Sequence, residues 1–135
     1  ILVTTVITIK NNGGINYLIT DAGMHTLIRP ALYKAHHEIE SVSGNTEKPT
    51  DYTIAGPICE SSDIFGKNIN LPQQQIGNLL IIKDTGAYGK VMASNYNSRG
   101  LPKEILVKDN NFFVIHKPLS IKEYIDQDRI PDWLV

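Results

Sequence analysis

Four short strings of this chain carry side chains of the kinds that hold or protonate small charged molecules. Arg29-Pro-Ala-Leu-Tyr33 sets a guanidinium and a phenol four residues apart, and Gly56-Pro-Ile-Cys-Glu60 puts a thiol next to a carboxylate. Tyrosines stand inside Gly86-Ala-Tyr-Gly89 and Ala93-Ser-Asn-Tyr-Asn97. On one helical turn Arg29 and Tyr33 project from the same side, which offers two donors to one carboxylate. A thiol beside a carboxylate supplies a proton source next to a receptor for an amine. The set suits a small zwitterionic substrate.

The remaining composition narrows what such a site could serve. The chain has 135 residues, one domain's worth, and a domain of that size buries roughly two thirds of its unfolded surface. Thirteen basic and fourteen acidic side chains give a net charge of -1 with no block of like charge, so nucleic acid is not an expected partner. The lone Cys59 cannot form an internal disulfide, and no Asn-x-Ser/Thr acceptor occurs, which favours a reducing cytoplasm. The opening run ILVTTVITIK is too short to span a bilayer and lacks the flanks of a signal peptide, so no membrane association is expected. A start at Ile1 rather than methionine reads as a domain cut from a longer protein. His36 and His37 are adjacent and therefore splayed on a helix, so no metal site is assigned.

Positioning these side chains requires mostly strands. The alternation Ile1, Val3, Thr5, Ile7, Ile9 sets one face of a strand, Asn12-Gly13-Gly14 supplies a turn, and Tyr17 to Thr20 returns as the hairpin partner. Pro30 fits the first turn of a short helix that runs to about His37. Glu38 to Thr50, with Ser41, Ser43, Gly44, Asn45, Lys48 and Pro49, reads as a surface loop. Tyr52 to Cys59 resumes strand character, whereas Ser61 to Gln75 shows no sustained period. Leu79 to Ile82 reads as a doubly buried strand, Glu104 to Lys108 and Phe112 to His116 as a hairpin, and Ser120 as the cap of a helix ending near Asp128. Trp133 is expected to cover apolar surface. The expected fold is mainly β, a sandwich or Greek-key-like barrel with two short helices and no internal domain boundary across 1–135.

Over nearly its whole length the chain resembles the C-terminal domain of the diaminopimelate decarboxylases. The resemblance lies in Asp21-Ala-Gly-Met with Leu27-Ile-Arg-Pro-Ala-Leu-Tyr33, in Gly56-Pro-Ile-Cys-Glu-Ser61, and in Gly86-Ala-Tyr-Gly89 with Ala93-Ser-Asn-Tyr-Asn-Ser-Arg99. Each string alone is weakly specific, and their shared order and spacing carry the match. His25-Thr26 departs from the Asn-Asp pair that is commoner there. What the resemblance implies is a pyridoxal-phosphate enzyme that converts meso-diaminopimelate to L-lysine and carbon dioxide. Its subunit has two domains, and the N-terminal α/β barrel with the Schiff-base lysine is absent from this chain. These residues alone are therefore expected to be inactive. By the same resemblance Cys59 is the catalytic proton donor, Arg29 and Tyr33 hold the distal carboxylate, and Glu60 receives the distal ammonium. Tyr88 borders substrate and cofactor. The Cys-Glu pair is expected to complete the opposite subunit's site in a homodimer.

Taken singly, each of these residues has an ordinary structural reading: a core thiol, a surface ion pair, packing aromatics, a solvated carboxylate. Two other functional classes follow from such readings. One is a sister decarboxylase acting on ornithine, arginine or a polyamine, disfavoured by the Arg-Tyr grip and by Cys-Glu rather than Cys-Asp. The other is a non-enzymatic β binding module.

Overall fold

The computed structural model describes residues 1–42 and 48–134. Its strands are β1 (Leu2–Asn12), β2 (Ile15–Thr20), β3 (Ile39–Ser41), β4 (Thr50–Ala55), β5 (Ile64–Leu71), β6 (Leu79–Ile82), β7 (Glu104–Lys108) and β8 (Asn111–His116). Two five-residue helices, α1 (Arg29–Tyr33) and α2 (Ile121–Ile125), complete it with three short 3-10 turns. Six strands form one mixed sheet in the order β3-β6-β1-β2-β4-β5, and β7-β8 form a separate ribbon. Among the described strands only β2 and β4 run parallel. The two edges approach each other, because a side chain added at Gly66 of β5 would come within 3.8 Å of Ile39 of β3. The sheet is thus a nearly closed barrel. No helix among the described residues is long and apolar enough to cross a membrane.

Gly13 and Gly14, both at positive φ (59° and 81°), form the tight turn between β1 and β2, a conformation other residues adopt at a cost. β1 is long enough to serve two partners. Leu2 to Thr5 pair with β6, and Val6 to Asn12 pair with β2 past a register shift between Val6 and Thr8. Inside the barrel Val6, Leu18, Ile54, Leu80 and Ile82 are fully buried, joined by Leu27, Ile39, Tyr52, Phe65 and Leu71. The even residues Thr4 and Val6 of β1 face this core. The apolar odd face points outward, with Val3, Ile7 and Ile9 exposed.

The polar knot where β2 leaves the sheet sets the direction of the next segment. Asp21 Oδ1 accepts from the Thr4 hydroxyl at 2.5 Å and from the Thr5 N–H at 2.8 Å, while the Asp21 N–H donates to the Thr5 carbonyl at 3.0 Å. Thr4 Oγ1 in turn accepts from the Ala22 N–H at 3.0 Å. Burial acts to raise the Asp21 pKa, but the hydrogen bonds from Thr4, Thr5 and Ala22 prevail and hold it below the ordinary carboxylate value.

Several elements differ from the sequence reading for identifiable reasons. Helix α1 stops at Tyr33 because Lys34 turns left-handed (φ 56°, ψ 30°), so it does not reach His37. The supposed loop 38–50 contains β3, a three-residue strand with a single buried side chain, Ile39, too short to show a period; the turn residues Ser43, Gly44 and Asn45 lie outside the described residues. β4 ends at Ala55 rather than Cys59, since the Gly56 N–H turns to the Asp63 carbonyl at 3.0 Å. The supposed irregular stretch 61–75 contains β5, whose alternation is broken by Asn68 at φ 55°. Only Leu80 and Ile82 of β6 are buried, so that strand is covered on one face rather than two. α2 ends at Ile125 rather than near Asp128. Trp133 is 81% exposed, so little of it covers apolar surface among the described residues.

Because the folded-state pKa of Asp21 is depressed, its stabilisation is complete above 3.8, the ordinary value, and is lost as pH falls through the lower folded value. Asp21→Asn is expected to cost about 1 kcal/mol at neutral pH. Urea midpoints of the two proteins, apart at neutral pH, should converge in strong acid.

Candidate functional site

Helix α1 is short, but its ends are fixed. Pro30 lies in its first turn, where a missing N–H leaves no helical bond unmade, and the Ala35 N–H closes back on the Arg29 carbonyl at 3.3 Å. Arg29 is half-buried, whereas Tyr33 one turn on is 61% exposed. The guanidinium carbon of Arg29 sits 5.9 Å from the centroid of the Tyr88 ring, within reach of a cation-π contact. The structure therefore brings together Arg29 and Tyr88, which stand far apart in the sequence.

Tyr88 is exposed and adopts φ 65°, a region in which a bulky side chain is strained. The loop after β6 holds the ring outward, next to the open surface at Gly86. Behind Arg29 lies His37, only 2% exposed. Its Nδ1 is 2.8 Å from the Lys83 carbonyl, which only an N–H can satisfy, so the remaining nitrogen Nε2 presents a lone pair to Arg29 Nη1 at 3.5 Å. His37, weighed in the sequence only as a metal ligand, instead supports the guanidinium from inside. No local pattern marked it, since its sequence neighbours His36 and Glu38 are polar.

A second group forms on the loop after β4. Cys59 and Glu60 are both exposed. The Tyr96 hydroxyl donates to Glu60 Oε1 at 2.5 Å, and this bond, with the charge of Glu60, raises the Tyr96 pKa. The phenol therefore remains a donor. Tyr96 was visible in the Ala93 to Asn97 string but had no role assigned to it. Its segment is tied to the one leading into α1 by the Ser94 N–H, which donates to the His25 carbonyl at 2.8 Å. His25, where the sequence departs from the common pattern, is 4% exposed; burial first, and then the charge of Arg99, lower its pKa, so it sits as a neutral core side chain.

The arrangement thus presents a cation and phenols around α1, and a thiol with an oriented carboxylate on the β4–β5 loop. The five expected site residues open outward rather than line an enclosed cavity. A groove of about 620 Å³ runs between Ser94, Arg99, Leu119 and Tyr124, and none of the five lies in it.

Comparison with known proteins finds the family described as pyridoxal-dependent decarboxylase, C-terminal sheet domain, matching residues 1–86. The diaminopimelate decarboxylase of Archaeoglobus fulgidus is 38% identical over 136 residues, covering 100% of this chain and 32% of the relative. That of Bacteroides thetaiotaomicron is 48% identical over 103 residues, covering 76% of this chain and 26% of the relative. The crystal structure of diaminopimelate decarboxylase from M. jannaschii in complex with L-lysine superposes with a TM-score of 0.93 at 37% identity, over 98% of this chain and 30% of that one. The chain spans about a third of the length of the curated relatives it matches.

Replacing His37 separates its two contacts. His37→Asn keeps a donor for the Lys83 carbonyl but removes the acceptor facing Arg29, and is expected to weaken carboxylate binding by the intact protein about threefold to tenfold. His37→Gln, which returns an acceptor near the Nε2 position, should restore most of it in a calorimetric titration.

Proposed function

Because the chain belongs to the pyridoxal-dependent decarboxylases as their C-terminal sheet domain, we propose that it forms the substrate-binding part of a cytoplasmic, homodimeric enzyme that decarboxylates meso-diaminopimelate to L-lysine. The observation that carries this reading is the approach of Arg29 to Tyr88 at 5.9 Å, with Tyr33 one turn along the same helix. A guanidinium flanked by phenols suits a carboxylate remote from the reacting carbon. An ornithine-type substrate has an ammonium at its far end but no distal carboxylate, so it offers nothing at that position.

The residues around Tyr88 fit pyridoxal phosphate, since an exposed ring beside the open surface at Gly86 can border a planar group. Tyr88 would flank it, and the remainder of the protein beyond this chain would hold most of it. When bound, the cofactor supplies the sink for the electron pair left as the substrate's C–C bond breaks and carbon dioxide departs. The chain's own groups do the rest. Arg29 and Tyr33 orient the distal carboxylate, and Glu60, held by the Tyr96 hydroxyl, receives the distal ammonium. The Cys59 thiol gives its proton to the carbon that lost the carboxylate, and solvent reprotonates the thiolate. Both Cys59 and Glu60 are exposed at a loop tip, which suits their use in the site of the opposite subunit.

Arg29→Ala in the intact enzyme is expected to lower kcat/KM for meso-diaminopimelate by about 10² to 10³, two charge-assisted hydrogen bonds being lost. An unchanged value would remove Arg29 from the site. Mixing Cys59→Ala subunits with subunits lacking the Schiff-base lysine should restore part of the activity if the site is shared; absence of recovery would place each site within one subunit.

A further inference from the structure

The loop that presents Cys59 and Glu60 closes on one buried carboxylate. Asp63 is 3% exposed. Its Oδ1 accepts the Met24 N–H at 2.6 Å, and its Oδ2 accepts the Ile58 N–H at 2.8 Å. Its backbone completes the closure. The Gly56 N–H donates to the Asp63 carbonyl at 3.0 Å, the Asp63 N–H to the Glu60 carbonyl at 3.1 Å, and the Glu60 N–H to the Ile58 carbonyl at 2.8 Å.

Space for the carboxylate is made by two glycines. A Cβ at Gly23 would lie 2.7 Å from Asp63 Oδ2, and one at Gly56 would lie 2.3 Å from it. Gly56 opens the string that carries the thiol, and Gly23 opens the turn that leads into α1. Both strings therefore keep a glycine against the same carboxyl group. Burial holds the Asp63 pKa above the ordinary carboxylate value, although the N–H groups of Ile58 and Met24 and the charge of Arg99 pull it down.

We propose that Asp63 is the positioning residue of the Cys59-Glu60 pair, locking the loop that bears the thiol to the Met24 turn that precedes Arg29 and Tyr33. Ile58, bonded to Asp63, is the last buried residue before the exposed pair, so its placement sets where the thiol emerges. The proposal rests on the reading of Cys59 and Glu60 given above. It adds that their setting is fixed relative to the carboxylate grip by a group that touches neither substrate nor cofactor.

The test uses intact enzyme turning over meso-diaminopimelate in D₂O. As the C–C bond breaks and carbon dioxide leaves, one deuteron is delivered to the same carbon, and its stereochemical purity in the lysine reports how well the donor is aimed. Asp63→Asn, nearly isosteric but with an N–H₂ in place of one acceptor, is expected to lower kcat/KM at least tenfold and to scramble part of the deuterium. If the variant is merely less heat-stable, with wild-type kcat/KM and stereochemical purity, the proposal is overturned. Should it not fold, Gly23→Ala, which keeps the carboxylate but crowds it, is measured in the same way with the same two outcomes. Cys59→Ala is run alongside. Were it to leave rate and stereochemistry untouched, the assignment of the thiol would fall and the proposal with it; were it to change both while the Asp63 variant changed neither, only the proposal would fall.

Discussion

The parallel pairing of β2 against β4 governs how this domain is built. Antiparallel neighbours can be joined by a two-residue turn, as β1 and β2 are, but parallel neighbours require a connection that leaves the sheet and returns. That connection holds the Asp21 knot, the Gly23 turn, α1 and β3. Arg29, Tyr33 and His37 lie on it because the topology demands a long excursion there. Once β4 returns, the next loop comes back to the same place, and Asp63 binds the Met24 N–H across a wide sequence separation. The segment leading into α1 and the loop bearing Cys59 meet because one carboxylate bonds to both.

The packing explains why the site faces outward. The barrel interior is filled by Val6, Leu18, Ile54, Leu80 and their neighbours, which leaves no room inside for a ligand. Polar side chains that could act on a substrate are left at the rim, on α1, on the β4–β5 loop and after β6. The buried polar groups behind them, His37, Asp63 and Thr20, act on backbone and on Arg29 rather than on solvent. The apolar side chains of the β7–β8 ribbon, Val107, Phe112 and Phe113 among them, remain exposed, as does the odd-numbered face of β1. These surfaces are not covered by any described part of the chain.

What the sequence disclosed and what it hid follow from the same physics. The first hairpin was legible because Gly13-Gly14 interrupts a clean alternation, and the α2 cap because Ser120 and Glu123 bond reciprocally over three residues. β3 was hidden because three residues with one buried side chain carry no period, and β5 because its polar residues match an edge strand with one side to solvent. Of the candidate site, the types and spacing of Arg29, Tyr33, Cys59, Glu60 and Tyr88 stood out on the page. Their supports did not. His37 and Asp63 act across the fold through hydrogen bonds that no local pattern announces, and Tyr96 is an ordinary tyrosine until Glu60 is seen beside it.

The backbone at Tyr88 carries a further implication. A non-glycine residue at φ 65° stores roughly 1 to 3 kcal/mol of conformational energy. Glycine or asparagine would sit there more comfortably. A tyrosine at this corner therefore makes the loop less stable than glycine or asparagine would, while holding an exposed ring beside Arg29. Stabilising consensus designs for this domain would do well to leave that corner alone.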